Sequence, residues 1–400
     1  MKQSIHKQSL KEVIRLILGL IIFVGLLFNY GITASIKPEG KRSKPKEVRA
    51  IWLWSSFVKN EGANTVAAKL AKYGISDVFL LVKGMSGEVM FKSKFGPPLK
   101  NNRDILQEMI PACHKRGIKV HAWIIFQGDM NWGKTHPQDV VYHAGNSTAW
   151  NTGPYSRIDD TTKQLICPLV PEYREYIKNL IGEVVDTYKI GSIHLDVIRY
   201  AHVVYCFCPR HQQKAKELGI NLEHVREVMY RSLYTNTTAQ NLYVERYKAG
   251  DPDIMKWVAM RQNEITSLVK EIRELIDKKH SQMKLSAAFV PEGGEEDDSY
   301  ALCYFAQNYR ELGKYLDFIC PMTYHKEFRK PIQWVVDIAK HTEEETGKPV
   351  YAGIQAFSEK RSIDAKELSA TIKAIRDNNI PGFVLFRYGS LTDEMWNVVK

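Results

Sequence analysis

The segment Gly191–Tyr200, GSIHLDVIRY, is apolar enough for a buried strand yet carries His194, Asp196 and Arg199. A buried carboxylate is costly unless it is paired, hydrogen-bonded or used. Side chains alternate along a strand, so His194 and Asp196 share a face and Arg199 follows just beyond it. An arginine in that position suits a nucleophile or charge stabiliser better than a general acid. Hydrolysis of a glycosidic bond would need a second carboxyl group. The stretch AFVPEGGEEDDSY offers Glu292 as a general acid, although its Gly-Gly pair and the acids Glu295–Asp298 equally fit a mobile, solvated loop. Asp129 is a third candidate acid.

Other residue types that bind sugars stand at comparable positions. Trp52, Trp54 and Trp123 offer faces for stacking, while Lys83, Gln127, Gln355 and Arg387 could hold hydroxyls or carboxylates. Tyr324 and His325 close the run LDFICPMTYH and could bind substrate or orient a carboxylate. Asp317 opens the same run, at the opposite end, where a structural role is expected. His194, Arg199 and Asp129 join this substrate-binding set. A separate cluster, YCFCPRH, brings Cys206, Cys208 and His211 into C-x-C-x-x-H spacing. Zinc accepts such ligands, but no obvious fourth is near in sequence except His202. Plain loop cysteines or a redox-sensitive pair are the alternatives, and no other metal or cofactor is expected.

These residues need elements to position them. Eight β-favouring runs alternate with longer amphipathic stretches: 48–54, 77–83, 119–126, 192–198, 284–290, 316–324, 349–357 and 382–388. Most follow a helix-stop signal such as KRGIK, TGKP or NNIPG. Eightfold strand–helix alternation predicts a (β/α)8 TIM barrel. No Gly-rich phosphate turn follows the first strand, which argues against a doubly wound open sheet. Two connections, from Gln127 to about Pro171 and from Ala201 to about Asp253, exceed ordinary βα loops. Both follow the C-terminal ends of strands 3 and 4, the face where barrel active sites form. Their Trp132, Trp150 and Tyr155 could wall a cleft.

Composition narrows the classes further. The 400 residues are 44% hydrophobic and 25% charged, ordinary for a globular chain. Residues 1–50 hold ten Lys/Arg and three Glu, and so account for +7 of the formal +11. The rest is only mildly basic, and a nucleic-acid partner is not expected. Residues 1–36 combine a basic start with the apolar run LILGLIIFVGLLF, as in a signal peptide or an uncleaved membrane anchor. A basic Pro/Lys linker, 37–47, then leads to the barrel, 48–400. Export to the cell surface is therefore expected, with membrane contact through the N-terminal segment if it is retained. The six cysteines are not spaced like a small disulfide scaffold, and the sequence leaves the oligomeric state open.

The segment CPLVPEYREYIKNLIGEVVDTYKIGSIHLDVIRY resembles the signature region of exported glycosyl-hydrolase-like proteins carrying an HLD-x-(I/V)-R-Y motif. The later KLSAAFVP…YFAQNYRELGKYLDFICPMTYH is similar to the same family's fifth and sixth strands. The resemblance covers about residues 47–390. It implies a TIM-barrel glycoside hydrolase with Asp196 as catalytic carboxylate and a polysaccharide or oligosaccharide substrate. Two other classes fit the residues less fully: a catalytically silent glycan-binding barrel, and a metal-dependent polysaccharide deacetylase built on His and Asp groups.

Overall fold

The computed structural model describes residues 47–144, 165–234, 242–279, 282–357 and 361–400. Trp150, Tyr155 and the N-terminal segment lie outside them. Among the described residues no helix is long and apolar enough to cross a membrane.

Eight strands form one parallel sheet: β1 (Val48–Trp54), β2 (Asp77–Lys83), β3 (Lys119–Ile125), β4 (Ser192–Asp196), β5 (Lys284–Phe289), β6 (Phe318–Pro321), β7 (Tyr351–Gln355) and β8 (Gly382–Phe386). Their order runs β6-β5-β4-β3-β2-β1-β8-β7. Parallel bridges Ile319–Val350 and Met322–Gly353 then join β6 to β7. The sheet is thus a (β/α)8 barrel, as the alternation predicts.

Residue alternation separates two apolar layers. Ala50, Trp52, Phe79, Trp123, Ala288, Phe318, Cys320 and Val384 fill the lumen. Their strand neighbours, such as Ile51, Leu53, Val78 and Leu80, pack outward against the helices. The helix Pro171–Thr187 shows how an outer element is specified. Proline at its start costs no hydrogen bond, and Tyr173, Ile177, Leu180, Ile181 and Val184 recur on one buried face. The helix Ile332–Thr346 ends where Gly347 takes φ 64°, the left-handed cap that glycine adopts without strain.

A polar ladder crosses the lumen below the rim. Asp77 Oδ1 meets His121 Nε2 at 2.8 Å, and His121 Nδ1 meets Ser192 Oγ at 2.7 Å. Ser286 Oγ stands 3.5 Å from Ser192 Oγ and 2.9 Å from His194 Nδ1. Trp52 Nε1–H donates to His194 Nε2 at 3.3 Å. Accepting at Nε2 leaves the proton on Nδ1, the tautomer of a neutral imidazole. Burial, assisted by His121, holds the His194 pKa well below its usual value, in keeping with that state.

Both long connections carry structure of their own. The first contains the helix Met130–Thr135 and antiparallel bridges Gly128–Leu165 and Val140–Ile166. The second contains the helices Pro209–Glu217, Leu222–Tyr234 and Leu242–Lys248 before the 28-residue helix Pro252–Lys279 returns to β5.

Candidate active site

Asp196 ends β4 at the barrel mouth and receives three donors. Val197 N–H donates to Oδ1 at 2.6 Å, Trp123 Nε1–H donates to Oδ2 at 3.2 Å, and Arg199 Nη1 lies 3.5 Å from Oδ1. The first depends on an uncommon backbone. Val197 adopts φ 52°, the left-handed region that a β-branched residue occupies only under strain. Such strain gathers at functional sites because the surrounding structure imposes it. Here it aims an amide at the carboxylate.

Glu292 follows β5, the strand hydrogen-bonded to β4. It sits in a short 3-10 turn, Pro291–Gly294, whose proline and glycines are buried. A Cβ on Gly293 would lie 2.3 Å from the Tyr309 ring, and one on Gly294 would lie 2.7 Å from Thr342 Oγ1. The Gly-Gly pair is therefore a close packing contact and not a solvated hinge. Glu292 Oε2 is buried without a hydrogen-bond partner among the described residues. Burial, aided by Glu295, raises the Glu292 pKa above the usual carboxylate value, against its own backbone amide, Arg199 and Lys330. Arg199 thus pairs with Asp196 while acting electrostatically on Glu292.

Gln307, which is fully buried, locks the two loops together. Its Oε1 accepts from Val290 N–H at 2.7 Å, and its Nε2 donates to Ile198 O at 3.4 Å. The two carboxylate-bearing turns are thereby held by one amide side chain.

Aromatic rings complete the mouth. A file of rings rises from Trp123 in the lumen, with centroids 5.5 Å apart from Trp123 to Trp54, 5.5 Å from Trp54 to Phe386 and 5.0 Å from Phe386 to Tyr324. Burial and the Asp196 charge push the Tyr324 phenol well above the usual tyrosine range, so its hydroxyl stays protonated. Arg387 lies 4.2 Å over the Trp54 ring and 5.0 Å over Phe357. Trp54 and Tyr324 remain partly exposed, so this wall can meet a ligand.

The model of the family described as glycosyl hydrolase-like 10 matches residues 47–367. The chain belongs to that family. Glycosyl hydrolase DigH of Escherichia coli K12 is 28% identical over a 142-residue alignment that covers 32% of this chain and 31% of DigH. The match thus spans about a third of that relative's length. Among solved structures, the PgaB (BpsB) glycoside hydrolase domain of Bordetella bronchiseptica superposes with TM-score 0.66 at 13% identity, covering 86% of this chain and 94% of that one. The α-L-fucosidase isoenzyme 2 of Paenibacillus thiaminolyticus gives TM-score 0.62 at 15% identity, covering 88% and 48%. At such identities these two structures speak for the fold.

In this glycosyl hydrolase-like 10 barrel, several residues expected at the substrate cleft lie elsewhere. His194 is enclosed by Trp52 and Ser286, with both ring nitrogens occupied. Trp123 is only 3% exposed and supports Asp196 from inside the lumen. Gln127 is 2% exposed, under the first insertion, and its main-chain carbonyl accepts from Ile166. Gln355 pins a loop, accepting from Glu327 N–H at 3.1 Å and donating to Arg361 O at 2.6 Å. His325 is turned to Glu367 at 3.1 Å. Asp317 accepts from Leu285 N–H and Arg273, a structural role at the far end of the barrel as its place in the strand predicts. Trp132 stacks on His136, 4.3 Å between ring centroids, and donates to Asp139.

Lys83 and Asp129 form a buried pair at 3.3 Å, exposed by 0% and 1%. The β2–β3 register shifts between Leu81 and Lys83, so Lys83 aligns with outward-facing Ile124. Its ammonium donates to Ile125 O and to Tyr173 Oη, both at 3.0 Å, away from the cleft. Burial drives its pKa down to about 8, against Asp129. Asp129 also caps the helix Met130–Thr135 by accepting from Trp132 N–H at 2.9 Å. Asparagine caps as well as aspartate, so Asp129→Asn keeps the cap while removing the charge and the acceptor that face Lys83. A destabilisation of about 3–5 kcal/mol is expected near neutral pH, read by denaturant unfolding. Because the folded pKa of Lys83 is depressed, the unfolded chain binds more protons between about 8 and 10.5, and wild-type stability gains from this group over that window. Without Asp129 the folded Lys83 gives up its proton at a lower pH than in wild type, so the deficit of the variant should shrink as pH rises toward about 8 and level off above it. A deficit unchanged to pH 10 would show that Asp129 acts through something other than this charge.

Proposed function

We propose that this chain hydrolyses glycosidic bonds in an extracellular or cell-surface polysaccharide. One juxtaposition carries the assignment. Asp196 and Glu292 leave adjacent strands at the barrel mouth, share the field of Arg199, and differ in environment. Asp196, supplied with three donors, acts as nucleophile or charge stabiliser for an oxocarbenium-like centre. Glu292, half-buried with Oε2 shielded from solvent and its pKa raised, protonates the departing oxygen. Trp54, Tyr324 and Arg387 offer a stacking face and donors for a sugar ring. The family's description and the name of the Escherichia coli relative support this chemistry. The basic-then-apolar N-terminus supports action beyond the cytoplasm, with the segment either cleaved or kept as an anchor.

The test is release of reducing ends from a panel of bacterial and plant polysaccharides by the full chain in detergent. Release above a mock preparation is expected for at least one polymer. Binding without release across the panel would replace hydrolysis with a silent glycan-binding barrel. Activity abolished by chelation and restored by added metal, with release of acetate in place of reducing ends, would point to a deacetylase.

A further inference from the structure

Cys206, Cys208 and His211 stand together in the loop after β4, and the fold supplies a fourth neighbour that their spacing does not reveal. Cys167, at the end of the insertion after β3, places its Sγ 3.6 Å from Cys208 Sγ and 3.5 Å from His211 Nδ1. Cys208 Sγ lies 3.4 Å from the same Nδ1, and all four donor atoms fall within 4.8 Å of one another. His202, the nearby histidine, packs edge-on against Tyr304 instead, 5.0 Å between ring centroids.

We propose that Cys167, Cys206, Cys208 and His211 bind a structural zinc ion. Zinc bonds of about 2.3 Å to sulfur and 2.0–2.1 Å to nitrogen imply tetrahedron edges of about 3.8 Å for S–S and 3.6 Å for S–N. The separations above lie close to these edges. They are far from a disulfide, whose sulfurs stand about 2.05 Å apart. Four protein ligands close the coordination sphere, as in structural sites, whereas a catalytic zinc keeps one position open. All four side chains are fully buried, which keeps competing water out.

The surroundings orient the ligands as a metal site requires. His211 Nε2 is held by Tyr200 Oη at 2.7 Å, which turns Nδ1 toward the sulfurs. An outer hydrogen bond of this kind fixes ring and tautomer. Backbone amides of Tyr142 and Leu169 donate to Cys206 Sγ and Cys167 Sγ at 3.3 and 3.4 Å. Three thiolates and one zinc leave a net charge of −1, and the thiol protons go to solvent on binding. Two buried arginines lie close by: Arg261, 4.3 Å over the Tyr200 ring, and Arg226, 5.2 Å over the Phe207 ring. The ion would staple the two long insertions to one another. Tyr200, four residues beyond Asp196, couples that staple to the catalytic turn.

The test is metal analysis of the full chain, purified in detergent under reducing conditions without added chelator. About one zinc per chain is expected, with X-ray absorption showing three sulfurs at about 2.3 Å and one nitrogen at about 2.0–2.1 Å. Cys208→Ser and His211→Ala should each lower bound zinc at least about tenfold, while Cys320→Ser, in the barrel lumen, should keep it. Cobalt exchanged into the wild type should give the absorption of a tetrahedral thiolate site, a readout that does not depend on any variant folding. Three results would overturn the proposal: failure of the reduced wild type to bind stoichiometric zinc, coordination by oxygen and nitrogen only, or a Cys167 disulfide in the chain as isolated.

Discussion

Asp196→Asn is expected to lower kcat on the order of 10³-fold on any polysaccharide the wild type cleaves, with the fold intact. The substitution keeps the shape of the side chain and an oxygen that can accept from Val197 and Arg199. It removes the negative charge that would stabilise an oxocarbenium-like centre, and it sets an amide N–H against the Trp123 indole N–H that now donates to Oδ2 at 3.2 Å. The repulsion falls on one hydrogen bond at a partly exposed rim, so the cost in stability should be about 1–3 kcal/mol. Reducing-end assays and thermal unfolding on the same preparations separate the two effects. Loss of activity with a cooperative, slightly lowered transition supports a catalytic role. Equal activity in both proteins would leave the Asp196–Arg199 contact as a pin for the loop. If the wild type retains anomeric configuration, a trapped glycosyl adduct on Asp196 would further distinguish nucleophile from charge stabiliser.

The barrel was legible because period-two alternation and helix stops are local signals. Strands β1 and β2 fall at 48–54 and 77–83, as their patterns predict, and the later runs overshoot the observed ends by one to three residues. The overshoot in β4 has a visible cause: Val197 turns to φ 52° directly after Asp196, although its residue type continues the strand pattern. Alternation also explains the misplaced residues. His194 does share a face with Asp196, but it stands two residues deeper, about 6.6 Å down the strand, where Trp52 covers it. Lys83 would face the lumen by simple alternation, and the register shift after Leu81 sends it to the other side. Nothing in DVFLLVK marks that shift. Cys167 is hidden differently, since it lies 41 residues before Cys208 and only the fold brings them together. Gln307 carries no signal of its own beyond its place before a helix in the family-like segment. Long-range pairings of this kind hold the site, which is why Cys167 and Gln307 escape a local reading that does pick out Asp196, Arg199 and Trp123.

Glu292→Gln bears on both halves of the carboxylate pair, because it should slow catalysis while stabilising the fold. The pKa of Glu292 is raised in the native state above the usual carboxylate value, chiefly by burial. A carboxyl group raised on folding contributes stability that is fully present below its unfolded value and is lost as pH rises through its folded value. Above that window the wild type must keep a charged Oε2 without a partner, and glutamine carries no such charge. The variant should therefore unfold at a higher temperature than wild type at neutral pH, with the gap closing near pH 4. Catalysis should move the opposite way. Removing a general acid costs on the order of 10²–10⁴-fold when the leaving oxygen needs a proton, and far less for activated aryl glycosides whose leaving group departs without one. If Glu292 is the acid, an alkaline limb of the wild-type rate profile should disappear in the variant. A loss independent of leaving group, with that limb unchanged, would assign the proton to another residue. A more stable but slower enzyme is the signature of a carboxyl group buried at a cost to stability so that it can hold its proton.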